Sequence, residues 1–266
     1  MNAELFYISF LILFGIFIIT LTVMGIFLLF KGVKNKMVNI ILVGIASVSL
    51  PIGFVGNFVF QLGGTFQEVF IVFSFILIVI FTNMTFYKNR GLISKIVLST
   101  VILLGAIQLG FFLISVFLTN LWTLPLYYLR VSLDFPYTFI VFNWLSYSSY
   151  AAYRLVKTQT IEPWIKIRYK MIAIFSLIFS FHNIPEFFQP PGTAWGDHSN
   201  IESLIVFGFT AILVVIFSLG FSIAWIMPKW LKKRLNRNFQ VIEDKEFKEK
   251  ELLDQIKKEL SEKKSN

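Results

Sequence analysis

The sequence predicts an all-α fold: a polytopic membrane protein built as a seven-transmembrane-helix bundle, with the N-terminus outside and the C-terminus cytoplasmic. Composition is the first reason, since 56% of the 266 residues are hydrophobic, 18% aromatic and only 15% charged, against roughly a quarter charged in an average soluble domain. Segregation is the second: Phe alone supplies 32 residues and the charges crowd into short clusters and the last 38 positions, at a mean hydropathy of +0.74. The sidedness of Lys and Arg is the third. Such a chain is neither disordered nor a soluble enzyme. With no Cys, it has no disulfide, thiolate metal site or cysteine nucleophile.

Crossing the hydrocarbon layer takes about 20 apolar residues at about 1.5 Å each. Seven runs of that kind follow one another: Leu5 to Phe30, Val38 to Phe60, Val69 to Tyr87, Ile96 to Leu118, Leu126 to Tyr153, Met171 to Phe188 and Leu204 to Met227. Breakers such as Lys31-Gly32, Gly63-Gly64, Gly91, Asn120, Pro163 and Pro190-Pro191-Gly192 punctuate them. The sixth run contains His182, Pro185 and Glu186 and also reads as a shorter buried or re-entrant segment; the charge alternation favours a full span. Pro185 removes a helical hydrogen bond and predicts a kink there.

Short loops rich in Lys and Arg stay in the cytoplasm. The first loop carries Lys31, Lys34 and Lys36, the third Lys88, Arg90 and Lys95, the fifth Arg154, Lys157, Lys166, Arg168 and Lys170, and the tail twelve more. Arg130 is the exception among 24 basic residues. The N-terminus and the second, fourth and sixth connections hold Glu4, Glu68, Asp197 and Glu202 and no Lys or Arg, which sets the N-terminus outside in the cell membrane. The formal net charge of +9 then reads as topology and attraction to anionic lipid headgroups, with no nucleic-acid role. The first run is too long for a signal-peptide core and lacks a basic start, so it reads as an anchor. No internal repeat is found, which weakens a pseudo-symmetric transporter.

Counting along each helix sets a polar layer near the outer surface, and it supplies the candidate ligand-binding residues Asn57, Glu68, Arg130, Asp134, His182 and Glu186. Ionisable groups inside spans are costly and usually face a wet cavity, so a vestibule open to the outside is expected. The plainer readings are an interfacial ion pair of Arg130 with Asp134, four residues apart, and a capping or snorkelling Glu68 at a helix start. His182 and Glu186 share a face, but a catalytic zinc needs about three protein ligands and the other His is His198; a satisfied kink histidine is the expectation, with no metal site and no catalytic residue. Prolines Pro51, Pro136 and Pro185 and glycines Gly53, Gly56, Gly105, Gly110, Gly208 and Gly220 suit bending and close helix packing. Ser74, Gln108, Asn143, Thr210 and Ser218 are expected to bond across packed helices more often than to line a polar interior. The sequon at Asn83 lies at a cytoplasmic helix end and is no glycosylation acceptor.

Residues 1–227 thus form the transmembrane domain, and 228–266 a cytoplasmic amphipathic and charged helical tail. In the tail Met227, Leu231, Leu235, Phe239 and Ile242 repeat at helical spacing. Lys229, Trp230, Lys232, Lys233, Arg234 and Arg237 are its candidate membrane-surface residues, binding anionic headgroups. Residues 243–266 alternate in sign, with Asp244/Lys248 and Glu259/Lys263 among the four-residue pairs, and read as a solvated helix or the dock for a cytoplasmic protein partner.

The seven-helix, N-outside layout looks like rhodopsins and the receptors that share their topology, on architecture alone. No Lys occurs between Lys170 and Lys229, so retinal is not expected, nor is any other cofactor; Thr85-Phe86-Tyr87-Lys88-Asn89-Arg90 lacks the acid-Arg-aromatic triplet of animal receptors. The expected function is a sensor or receptor-like protein that binds a small ligand or lipid in an outward-facing vestibule and signals through helix shifts to the tail. A small-molecule transporter or channel is the competing class, and an intramembrane enzyme the third.

Overall fold

The computed structural model describes residues 3–87, 91–117, 124–190, 192–193, 195–197 and 199–237. Its long helices are α1 (Ala3–Lys34), α2 (Val38–Phe58), α3 (Gly64–Phe86), α4 (Leu92–Phe117), α5 (Leu124–Lys157), α6 (Pro163–Phe179) and α7 (Ile201–Ile226). A 3-10 turn (Ile184–Phe188) follows α6, and a short α8 (Lys229–Leu235) follows α7. The ends obey local chemistry: Pro163 starts α6 where its missing N–H costs nothing, Asn200 caps α7 by accepting from the Ser203 amide, and a left-handed Met227 before Pro228 ends it.

Helix neighbours in sequence pack against one another from α1 to α7, α7 closes back on α1, and α3 also meets α5. That last contact leaves α4 outside, against α3 and α5 only, which is why it is the least buried of the long apolar helices. Six helices are long and apolar enough to cross a membrane, α6 counting together with its 3-10 turn. This is one fewer than the sequence predicted. The missing one is α5, whose 34 residues suffice in length but carry Arg130, Asp134, Asn143 and Ser146, Ser148 and Ser149.

Lipid tails are as apolar as Leu, so helices in a bilayer associate through packing and buried hydrogen bonds rather than by escaping water. Aromatic rings supply much of that packing: Phe142 of α5, Phe179 of α6 and Phe217 of α7 meet with centroids 4.1–5.5 Å apart. Hydroxyls tie helices pairwise, Ser74 to the Ala46 carbonyl at 2.9 Å and Ser146 to the Ala173 carbonyl at 2.8 Å. Asn83 joins three helices: it donates to the Ser94 carbonyl at 3.0 Å and accepts from Trp144 Nε1 at 2.9 Å. Asn83 is itself buried.

Several expectations need correction. The sixth helix does not kink at Pro185; it stops at Phe179 and resumes as the 3-10 turn, because Pro185 cannot supply the amide that a continuous helix needs there. Thr210 and Ser218 bond carbonyls of their own helix, at 3.1 Å each, rather than reaching across. Gly110 is no packing position, since a methyl there would meet nothing within 4 Å, whereas a methyl on Gly53 would come 2.9 Å from the Gln67 carbonyl oxygen. Phe239, Ile242, His198 and residues 243–266 lie outside the described residues.

Candidate ligand-binding cavity

The connection from α2 to α3 is tight, with Gln61 and Gly63 at positive φ (54° and 85°). It therefore folds the first turn of α3 back on the last turn of α2. Asn57 consequently donates to Gln67 Oε1 at 2.6 Å. Glu68, the next residue, neither caps nor snorkels: it is 5% exposed, one turn inside α3, and its Oε1 has no hydrogen-bond partner.

On α5, Tyr127, Arg130, Asp134 and Thr138 recur at spacings of three, four and four and so share one face. Arg130 pairs across the bundle with Glu186 on the 3-10 turn at 3.2 Å, both side chains being about one-sixth exposed, at 16% and 17%. This replaces the expected pairing with Asp134. The guanidinium also lies over the rings of Tyr127 and Phe112, 5.5 and 5.8 Å from their centroids. Two further bonds fix the turn to α5: the Tyr127 hydroxyl donates to the Glu186 carbonyl at 3.0 Å and Asn183 Nδ2 to Thr138 Oγ1 at 3.1 Å. His182 lies flat on the Phe179 ring, with centroids 4.1 Å apart, and its Nδ1 bonds the Phe179 carbonyl at 2.9 Å. The break in helix six thus leaves a satisfied histidine at the cavity wall.

These groups border one cavity of about 580 Å³, and all six sequence-nominated residues, Asn57, Glu68, Arg130, Asp134, His182 and Glu186, line it. The volume falls in the usual range for small-molecule sites, roughly 300–1,000 Å³. Thr210 and Val214 of α7 also line it, about two and a half to three and a half turns in from that helix's start. The cavity sits at the end of the bundle opposite Lys31, Lys34, Lys157 and α8. Among the described residues no three His, Asp or Glu side chains converge to hold a metal.

Sequence reasoning missed the apolar wall. Phe14 of α1, Phe54 and Phe58 of α2 and Trp195 of the α6–α7 connection form a ring cluster with centroids 5.0–6.3 Å apart, and all border the cavity. Gln189 braces that connection by donating to Ser203 Oγ at 2.9 Å. Trp195 carried a signal, as the aromatic in a loop otherwise rich in Pro, Gly and polar residues, but nothing in the spacing aims it inward.

At the opposite end, Lys229, Trp230, Lys233, Arg234 and Arg237 are exposed. Lys232 instead turns inward over the Trp164 ring, 4.0 Å from its centroid. Asn236 donates to Glu162 Oε2 at 2.7 Å, and the same carboxylate accepts from Trp164 Nε1. α8 is thereby fastened to the start of α6. Comparison with known protein families, curated proteins and solved structures finds no match for this chain.

Proposed function

We propose that this chain is a seven-span sensor or receptor-like membrane protein, N-terminus outside, that takes a small ligand or lipid in the cavity and passes a helix shift to its cytoplasmic tail. The observation that carries this reading is the convergence of six polar side chains from α2, α3, α5 and the α6 segment on a single cavity. Burying so many ionisable groups is costly unless a wet or liganded space receives them. Seven spans are supported by the basic residues, 23 of 24 of which fall on one side when α5 is counted. A polar α5 is consistent with a helix that packs against α3, α4 and α6.

Coupling to the tail is supported by α6, whose last turn borders the cavity while its first residues hold α8. The exposed cations of α8 suit an anionic leaflet, and the alternating charges of 243–266 suit a cytoplasmic partner. Reconstitution into liposomes tests the class. Saturable uptake or release of small solutes would make the protein a transporter and sink the sensor reading. Silence in flux, with stabilisation by a small solute and a soluble partner retained only while the tail is intact, is the expected result.

A further inference from the structure

The ligand's charge can be read from the cavity, on the premise that the cavity binds a ligand at all. Its lining carries three carboxylates, Glu68, Asp134 and Glu186, and one guanidinium, Arg130. Glu186 and Arg130 satisfy each other at 3.2 Å, and the faces of the guanidinium lie against Tyr127 and Phe112. Two acids remain. Glu68 is 5% exposed and holds an oxygen with no partner among the protein's groups, and Asp134 borders the same cavity. A buried acceptor without a donor is costly, and so are two unpaired acids sharing one cavity in a medium that screens poorly.

An ammonium group resolves both. It supplies the missing N–H to Glu68 and a positive charge to the two acids of the same cavity, where an anion would add a further negative charge. The neighbouring wall of Phe14, Phe54, Phe58 and Trp195 presents ring faces and edges, surfaces that hold a cation's alkyl or aromatic body and attract its charge. We infer that the cavity binds an organic cation, its ammonium seated at Glu68 and Asp134 and its apolar body against the Phe14–Trp195 wall. The same chemistry is presented by a free amine and by the headgroup of a zwitterionic lipid.

Three probes with one body and three charges test this: 4-phenylbutylamine, 4-phenylbutanol and 4-phenylbutyrate, titrated calorimetrically into the full chain in phosphatidylglycerol nanodiscs. The amine should bind at least roughly tenfold tighter than the alcohol, and the carboxylate not at all. Glu68→Gln should erase the amine's advantage over the alcohol; Asp134→Asn should reduce it, and serves alone if the first variant does not fold. Equal binding of amine and alcohol, or preference for the carboxylate, overturns the cation assignment and leaves the ligand cavity standing. Failure of all three probes overturns the assignment and the ligand-cavity reading together. Repeating the titration in phosphatidylcholine nanodiscs assigns the source: amine binding weakened only there marks a lipid headgroup as occupant, and equal binding in both marks a free amine.

Discussion

The Arg130–Glu186 pair makes a sharper prediction than either charge alone, because the two ends of the pair have different alternatives. Replace Arg130 with Met, which keeps length and apolar volume, and the carboxylates Glu68, Asp134 and Glu186 share the cavity with no guanidinium among them. Replace Glu186 with Gln, and Arg130 keeps its place over Tyr127 and Phe112 and can turn to Asp134, four residues along the same helical face. Breaking an exposed pair costs about 0.2–1 kcal/mol and a fully buried one about 3–5. At roughly one-sixth exposure beside a polar cavity, Arg130→Met should cost about 1–3 kcal/mol and Glu186→Gln under about 1. The double variant should be at least as stable as Arg130→Met, since one stranded acid has gone. Unfolding of the purified protein in mixed micelles, titrated with dodecyl sulfate and followed by Trp fluorescence, gives the four stabilities. Equal costs for the two single changes that simply add in the double would show both charges fully hydrated and refute a cavity that holds its ions out of bulk water.

Orientation is testable because the parent has no Cys: Glu202→Cys should react with an impermeant maleimide from outside intact cells and Lys157→Cys only after permeabilisation, and the reverse pattern inverts the bundle. Within α1, Gly25→Ala should destabilise by about 1–3 kcal/mol, as its methyl would sit 2.9 Å from the Gly44 carbonyl oxygen, whereas Gly15→Ala, with nothing within 4 Å, should be neutral or slightly stabilising in the same unfolding assay. Asn83→Ala should cost about 1–3 kcal/mol by stranding the Trp144 indole N–H; an unchanged unfolding midpoint would mean that water replaces the amide. A peptide spanning Pro228 to Ile242 should turn helical on anionic vesicles and not on neutral ones, by circular dichroism, while a 243–266 peptide responds to neither.

The membrane class and six spans could be read from composition and run length because the bilayer imposes one dominant requirement, a stretch of about 20 apolar residues per crossing. α5 shows where that reading thins. Arg130 and Asp134, which look into the cavity, together with Asn143, Ser146, Ser148 and Ser149 lower its mean apolarity even though the helix runs 34 residues. The candidate site was legible for a related reason: polar side chains within apolar runs are rare, so depth alone collected Asn57, Glu68, Arg130, Asp134, His182 and Glu186 into one layer. Depth did not reveal azimuth. Arg130 and Asp134 are neighbours along one helix, and only the three-dimensional course of the chain after Phe179 brings Glu186 nearer to the guanidinium. The aromatic wall was hidden by abundance, since 32 Phe residues give no reason to single out Phe14, Phe54 or Phe58.

The break after Phe179 is also where architecture and proposed function meet. α6 has 17 residues, about 25 Å at an α-helical rise, which falls short of a hydrocarbon core of roughly 30 Å. The 3-10 turn supplies the remaining length at a steeper rise per residue and sets Glu186 against Arg130 while His182 and Asn183 also reach the cavity. A continuous helix would have satisfied its own carbonyls and carried those side chains round its axis. The broken one exchanges that self-sufficiency for bonds to α5 from Asn183 and the Glu186 carbonyl. On the proposed reading, a ligand that changed the balance of charge at Glu68 and Asp134 would act on Arg130, and through its pairing with Glu186 on the 3-10 turn that follows α6. The other end of that short helix grips α8 through Glu162 and Trp164. In that reading α6 is one route from cavity to tail beside α7, which also lines the cavity and runs directly into α8, and cutting the grip with Asn236→Ala together with Lys232→Ala should weaken the coupling of partner retention to ligand while leaving ligand affinity in nanodiscs unchanged. Loss of affinity in that variant would mean instead that α8 holds the cavity's shape, and the route through α6 would have no signalling role.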